Sequence, residues 1–166
     1  HGQPAIPTTL GKEIRVFSSR LRKEFRKLCS TEIAVKWNGA NGNFNAHRTA
    51  YPTVDWPIFA RRFIEKLDGE RDKHYAVRFV YCPITTQIEP HDSYSELFDT
   101  LARINTILVS FCQDMWRYIS DDWIVQIPKE GETGSSTMPQ KVNPIDFENA
   151  EGNLEIAIAL CRFMSG

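Results

Sequence analysis

Apolar residues recur at helical spacing in three long stretches of this chain, and that periodicity leaves few folds open. Between about Thr9 and Cys29, Leu10, Ile14, Phe17, Leu21 and Leu28 follow one another at spacings of four, three, four and seven. This is the heptad-like seam of a long helix in a bundle. Ser93 and Glu96 have the spacing of a capping box, and Leu97, Leu101, Ile104, Leu108, Phe111 and Met115 supply an apolar face behind them, closed by Asp121 and Asp122. A third helix is expected from Pro144, with Asn143 as its cap and Ile145, Leu154, Ile158 and Cys161 on its apolar side. A helix with one apolar side must bury it against another. Three such helices bury little by themselves, so the rest of a longer protein, or other copies, is expected to complete the bundle. The fold class expected is all-α, a long-helix bundle, with residues 1–166 forming a single partial domain.

Composition narrows the function classes. At roughly 150 residues per domain, 166 residues make one domain. With 42% hydrophobic and 25% charged residues, the chain is not a disordered polar segment. Twenty Lys and Arg against 21 Asp and Glu leave a net charge of −1, which speaks against a strongly basic nucleic-acid binder. The first helix is nonetheless basic outside its seam, with Arg15, Arg20, Arg22, Lys23, Arg26 and Lys27. Such a face suits nucleic acid or a membrane surface, or a solvated face paired with acidic helices, and the neutral total favours the last. No apolar run approaches the roughly 20 residues of a membrane span. Cys29, Cys82, Cys112 and Cys161 are isolated from one another and fit neither a disulfide framework nor a zinc site. They read as buried reduced thiols, which points to a reducing, cytoplasmic compartment. The chain begins with His1, not Met, and reads as a piece of a longer protein.

Between the helices lie loops with strong turn chemistry. WNGANGNFNAHRTAY, from Trp37 to Tyr51, has two Asn-Gly pairs and is expected to be a loop, with His47 as a surface residue. Asp55 caps a short helix with Pro57 in its first turn, Phe59, Phe63, Ile64 and Leu67 beneath, and Gly69 at its end. Residues 69–74 form a charged excursion. Tyr75–Tyr81 has strand composition but no evident partner, so an ordered connection is expected. TTQIEPHD is a polar turn. Residues 128–141, PKEGETGSSTMPQK, have the composition of a mobile loop.

GSSTMPQKVNPIDFEN, Gly134 to Asn149, is the stretch richest in chemistry. A pair of serines sits on a glycine-bearing loop, and Lys141 and Asn143 follow at a helix N-terminus. Free N–H groups and the helix dipole favour anions there. A lysine and an amide at that place make a receptor for a carboxylate or an enediolate. Glu148, about a turn into the helix, can orient a histidine brought from elsewhere. Composition alone favours a flexible polar loop with an ordinary helix cap.

The string itself resembles the signature of the fumarase/aspartase superfamily, Gly-Ser-Ser-x-Met-x-x-Lys-x-Asn. Within it, KVNPIDFENAEGN, HGQPAIPTTLGKE, KWNGANGNFNAH, VDW, TTQIEPHD and SELFDTLARINTIL are similar to the adenylosuccinate lyase family, in matching order and over nearly all of the chain except residues 68–82. The resemblance implies a central helical domain of that superfamily and a β-elimination that releases fumarate. The substrates implied are adenylosuccinate, giving AMP, and a succinylcarboxamide ribotide, giving the aminoimidazole carboxamide ribotide. It implies neither metal nor organic cofactor, no nucleic-acid partner, no membrane, and a homotetramer whose active sites are shared between subunits. By the same resemblance Ser135 is the catalytic base, His1 the general acid toward the leaving nitrogen, and Glu148 the carboxylate that orients a histidine. Gln87 binds substrate from the TTQ turn, and Lys141 and Asn143 bind the substrate carboxylate.

Gln140 departs from the family pattern, standing where many relatives have histidine. The family's N-terminal and C-terminal domains have no counterpart here, so the 166-residue chain alone is expected to be inactive. Two other readings stay open at this point. One is a sister fumarate-releasing lyase, such as an argininosuccinate lyase or a fumarase, against which KWNGANGNFNAH and TTQIEPHD weigh. The other is a non-catalytic helical assembly module.

Overall fold

The computed structural model describes residues 3, 5–70, 77–127, 131, 134, 135, 137, 138 and 141–166. In chain order the elements are α1 (Leu10–Ser30), β1 (Glu32–Val35), α2 (Asn45–Ala50), α3 (Trp56–Glu70), β2 (Arg78–Tyr81), α4 (Asp92–Ser120) and α5 (Ile145–Ser165). The helical architecture expected from the periodicity is present. The chain divides into two compact units, one made of His1–Lys23 with Leu101–Phe163, the other of Glu24–Thr100 with Met164–Gly166.

In the first unit, Thr9 caps α1: its hydroxyl and carbonyl both accept from the Lys12 N–H, and the carbonyl also accepts from Glu13. The edge of Phe17 meets the ring of Phe111 at 5.3 Å and 69°, and Phe111 meets Phe147 of α5 at 6.2 Å. Ala102, Ile107 and Cys112 of α4 are the buried apolar residues here, while the expected stripe of Leu101, Ile104, Leu108, Phe111 and Met115 is half-buried. α4 stops in a Schellman arrangement. Asp122 takes a left-handed conformation at φ 59°, its N–H bonds the Ile119 carbonyl, and the Trp123 N–H bonds the Tyr118 carbonyl. α5 begins one residue later than expected, because the Pro144 carbonyl accepts from Phe147 and Glu148 and so serves as the cap.

The second unit holds a short parallel ladder that the sequence did not announce. β1 pairs with β2 in the register Glu32↔Arg78 through Val35↔Tyr81. The strand-like stretch was expected to lack a partner. Its partner is a four-residue strand far back in the chain, which local patterns do not reveal. Tyr75 and Ala76 of that stretch, and residues 71–74 of the charged excursion, lie outside the described residues. Both outer edges of the ladder are plugged by side chains. Ser93 Oγ accepts from the Ala34 N–H at 3.1 Å, and Asp68 Oδ1 accepts from the Phe79 N–H at 2.8 Å. α4 starts ahead of Ser93, with the His91 carbonyl accepting from the Tyr94 and Ser95 N–H groups, so Ser93 lies within the helix and is not the cap expected.

Asp55 does cap α3: its carboxylate accepts from the Ile58 N–H at 3.1 Å. Gly69 lies inside that helix, which runs to Glu70, so it is not the stop expected. Ala60 and Ile64 are buried, whereas Phe59, Phe63 and Leu67 are substantially exposed. The gap in the α1 seam between Leu21 and Leu28 is filled by Glu24, which is buried and pairs with Lys27 at 3.1 Å.

Candidate functional site

The loop before α5 is organised by its own backbone. The Asn143 N–H donates to the Gly134 carbonyl at 3.1 Å, and the Lys141 N–H donates to the Met138 carbonyl at 3.0 Å. Ser135 is half-buried within this closure. Its hydroxyl oxygen accepts from the N–H of Met138 at 3.2 Å and from that of Thr137 at 3.5 Å. The Ser135 oxygen thus faces two backbone N–H donors of its own turn.

Gly134 has no room for a side chain: a Cβ there would stand 2.6 Å from the Lys141 carbonyl oxygen and 3.1 Å from the Val142 Cα. That close approach brings the serine turn against the segment carrying Lys141 and Asn143. Lys141 is exposed, two residues before Asn143 and four before the start of α5. Glu148 is exposed in the first turn of α5. Ser135, Lys141, Asn143 and Glu148 thus come together in one unit on one loop and one helix start. Of the same stretch, residues 128–130, 132, 133, 136, 139 and 140, and so Gln140, lie outside the described residues. His1 does too.

Gln87 belongs to the second unit and is exposed on the TTQ turn. The turn is held from behind by the Asn-Gly loop. Asn38 is fully buried, and its Oδ1 accepts from the Thr85 hydroxyl at 2.9 Å. Gly42, at φ +87°, lies so near that a Cβ would meet the Thr85 carbonyl oxygen at 2.1 Å. Gly39 is also left-handed, and its carbonyl accepts from the Lys36 ammonium. The sequence named Gln87 but not Asn38, Gly42 or Thr85; the two Asn-Gly pairs signalled the first two residues, and the TTQ turn the third.

The same loop is not wholly irregular, as expected, but contains α2. Phe44, left-handed at φ 56°, starts it and accepts from the Arg48 N–H through its carbonyl. His47 is half-buried among rings rather than a surface residue. Its imidazole lies 5.3 Å from Trp37, 5.6 Å from Phe44 and 5.0 Å from Trp56, and Nδ1 is buried with no hydrogen-bond partner among the described residues.

Comparison with known proteins bears on what this arrangement is for. Residues 1–157 match the family model described as lyase. The adenylosuccinate lyase of Vibrio cholerae is 50% identical over 160 residues, which cover 96% of this chain and 33% of that protein. The adenylosuccinate lyase of Escherichia coli K12 is 48% identical over 165 residues, covering 99% and 34%. That of Dictyostelium discoideum is 48% identical over 166 residues, again 99% and 34%. The chain spans about a third of the length of the curated relatives it matches. Among the described residues no helix is long and apolar enough to cross a membrane, and no group of three His, Cys, Asp or Glu side chains is placed to hold a metal ion. With Gly134 closed onto Asn143, and with the family model covering residues 1–157, the chain belongs to the lyase family.

Proposed function

We propose that this chain is part of an adenylosuccinate lyase, which eliminates fumarate from adenylosuccinate to leave AMP, and from the succinylcarboxamide ribotide to leave the aminoimidazole carboxamide ribotide. The observation that carries the reading is the serine turn docked on the start of α5, in a chain about half identical to proteins of that name.

Ser135 removes a proton from the carbon adjacent to the one that bears the leaving nitrogen. A serine is a weak base at its ordinary pKa, and amide donors with a nearby lysine favour the alkoxide it must reach. The electrons of the broken C–H bond move into the adjacent carboxylate, giving an aci-carboxylate dianion. Lys141 and Asn143, at the positive end of α5, meet that growing charge. The dianion then expels the nitrogen, whose electron pair takes a proton from His1, and fumarate is released. Gln87 holds the substrate, and Glu148 orients a histidine. The complete protein is a cytoplasmic homotetramer whose sites draw on several subunits, and the 166-residue chain alone is inactive.

The test is turnover of adenylosuccinate, followed by absorbance, with the protein translated from the complete reading frame that contains this chain. Ser135→Ala is expected to lower kcat by about 10³-fold or more, the scale on which removing a general base acts, with the tetramer intact by light scattering. Full activity in that variant would overturn the role of Ser135. A folded tetramer with no turnover on adenylosuccinate, but with turnover on another fumarate-releasing substrate, would overturn the substrate.

A further inference from the structure

Glu151 lies three residues beyond Glu148 on α5, on the neighbouring part of the helix surface. Both of its carboxylate oxygens are engaged by α4. Oε1 accepts from Gln113 Nε2 at 2.7 Å, and Oε2 accepts from Trp116 Nε1 at 3.0 Å. Hydrogen bonds to a carboxylate are roughly twice as strong as neutral ones, and a carboxylate held at both oxygens gains geometric specificity.

The apolar packing of α5 is thin. None of its residues is fully buried, and Ile156, Leu160 and Phe163 are largely exposed. The Phe111–Phe147 ring contact, at 6.2 Å, permits a range of helix rotations. The two-pronged carboxylate does not. On a helix about 10–12 Å across, a rotation of about 10° moves a side-chain tip by roughly 1 Å. A misplacement of about 1 Å can cost on the order of 10²-fold in rate.

We propose that Glu151 is a positioning residue. By gripping Gln113 and Trp116 it fixes the rotation of α5, and with it the aim of Glu148 and of the helix start that carries Lys141 and Asn143. This rests on the lyase reading above. It assigns to Glu151 no contact with substrate.

The experiment compares Glu151→Ala, Glu151→Gln and Trp116→Phe in the protein from the complete reading frame, with kcat and KM for adenylosuccinate measured separately and a thermal melt for each. Glu151→Ala is expected to lower kcat about 10- to 100-fold while KM changes by less than about threefold. Gln keeps one oxygen acceptor, so Glu151→Gln is expected to recover most of the lost kcat, and Trp116→Phe to fall between. Native kcat in Glu151→Ala would overturn the proposal. So would a variant in which kcat falls only in proportion to lost folded protein, or in which Gln recovers nothing. If the parent itself turns over no fumarate-releasing substrate, the lyase reading has failed and the positioning role falls with it. Native kcat in Glu151→Ala beside an active parent overturns the positioning role alone.

Discussion

The Gly134 carbonyl and the Asn143 amide close the serine loop with one hydrogen bond of 3.1 Å, and the absence of a side chain on Gly134 makes that closure possible. In Gly134→Ala the new methyl would stand 2.6 Å from the Lys141 carbonyl oxygen, and backbone cannot yield as a flexible side chain can. The closure must open. The expected cost is about 1–3 kcal/mol of stability, together with a larger loss of turnover because Ser135 moves relative to Lys141. A thermal melt and a kcat measurement on the complete protein check both. A variant with a lowered melting temperature and native kcat would detach the loop closure from the chemistry.

Gly42 is under a stricter constraint. Alanine there meets both a left-handed backbone at φ +87° and the Thr85 carbonyl oxygen at 2.1 Å. Left-handed strain of about 1–2 kcal/mol and overpacking of about 1–3 kcal/mol predict a loss of about 2–5 kcal/mol in urea unfolding. Gly131 is the control. It too is left-handed, at φ +83°, but among the described residues a Cβ there meets nothing within 4 Å. Gly131→Ala is expected to cost only the backbone part. Equal losses at the two positions would show that Thr85 gives way freely.

Cys112 predicts an alkaline limb. Burial, and then the charge of Glu151, push its thiol above the ordinary value of 9.0. The folded state therefore favours the protonated thiol over the unfolded state. That contribution is fully present below about pH 9 and is lost as pH rises through the folded value. Burial also raises Tyr81 and Tyr118 above 10.0, so their contributions are lost at still higher pH. Unfolding free energy measured by urea between pH 7 and pH 11 is expected to fall above about pH 9, and Cys112→Ala is expected to flatten the first part of that fall. Iodoacetamide at pH 8 should label exposed Cys29 well before Cys112.

The long helices were legible because spacing alone carries them: Leu10, Ile14, Phe17 and Leu21 define a face whatever surrounds it. The seven-residue step from Leu21 to Leu28 also marked a vacancy in the seam, but nothing local says that Glu24 would be buried there beside Lys27. β1 was missed because Glu-Ile-Ala-Val is too short for periodicity to register, and its partner begins only at Arg78. Ser93 had the spacing of a capping box, yet its hydroxyl went to Ala34, a choice made by tertiary contact. At the candidate site, Ser135, Lys141 and Asn143 were readable from an unusual string. Glu151 was not, because a glutamate on a helix looks like any solvated one until Gln113 and Trp116 are placed opposite it.

The β1–β2 ladder acts as a length filter on the chain. Its register resets the path at Arg78 whatever has come between α3 and β2, and the TTQ turn follows a few residues later. Lengthening a connection costs little, about 0.6 kcal/mol for each doubling, so residues inserted or removed at 71–76 are absorbed before they reach Gln87. Variation is expected to accumulate in that stretch across related chains, or be engineered into it as a tag or a reporter, while the turn that carries Gln87 stays in place.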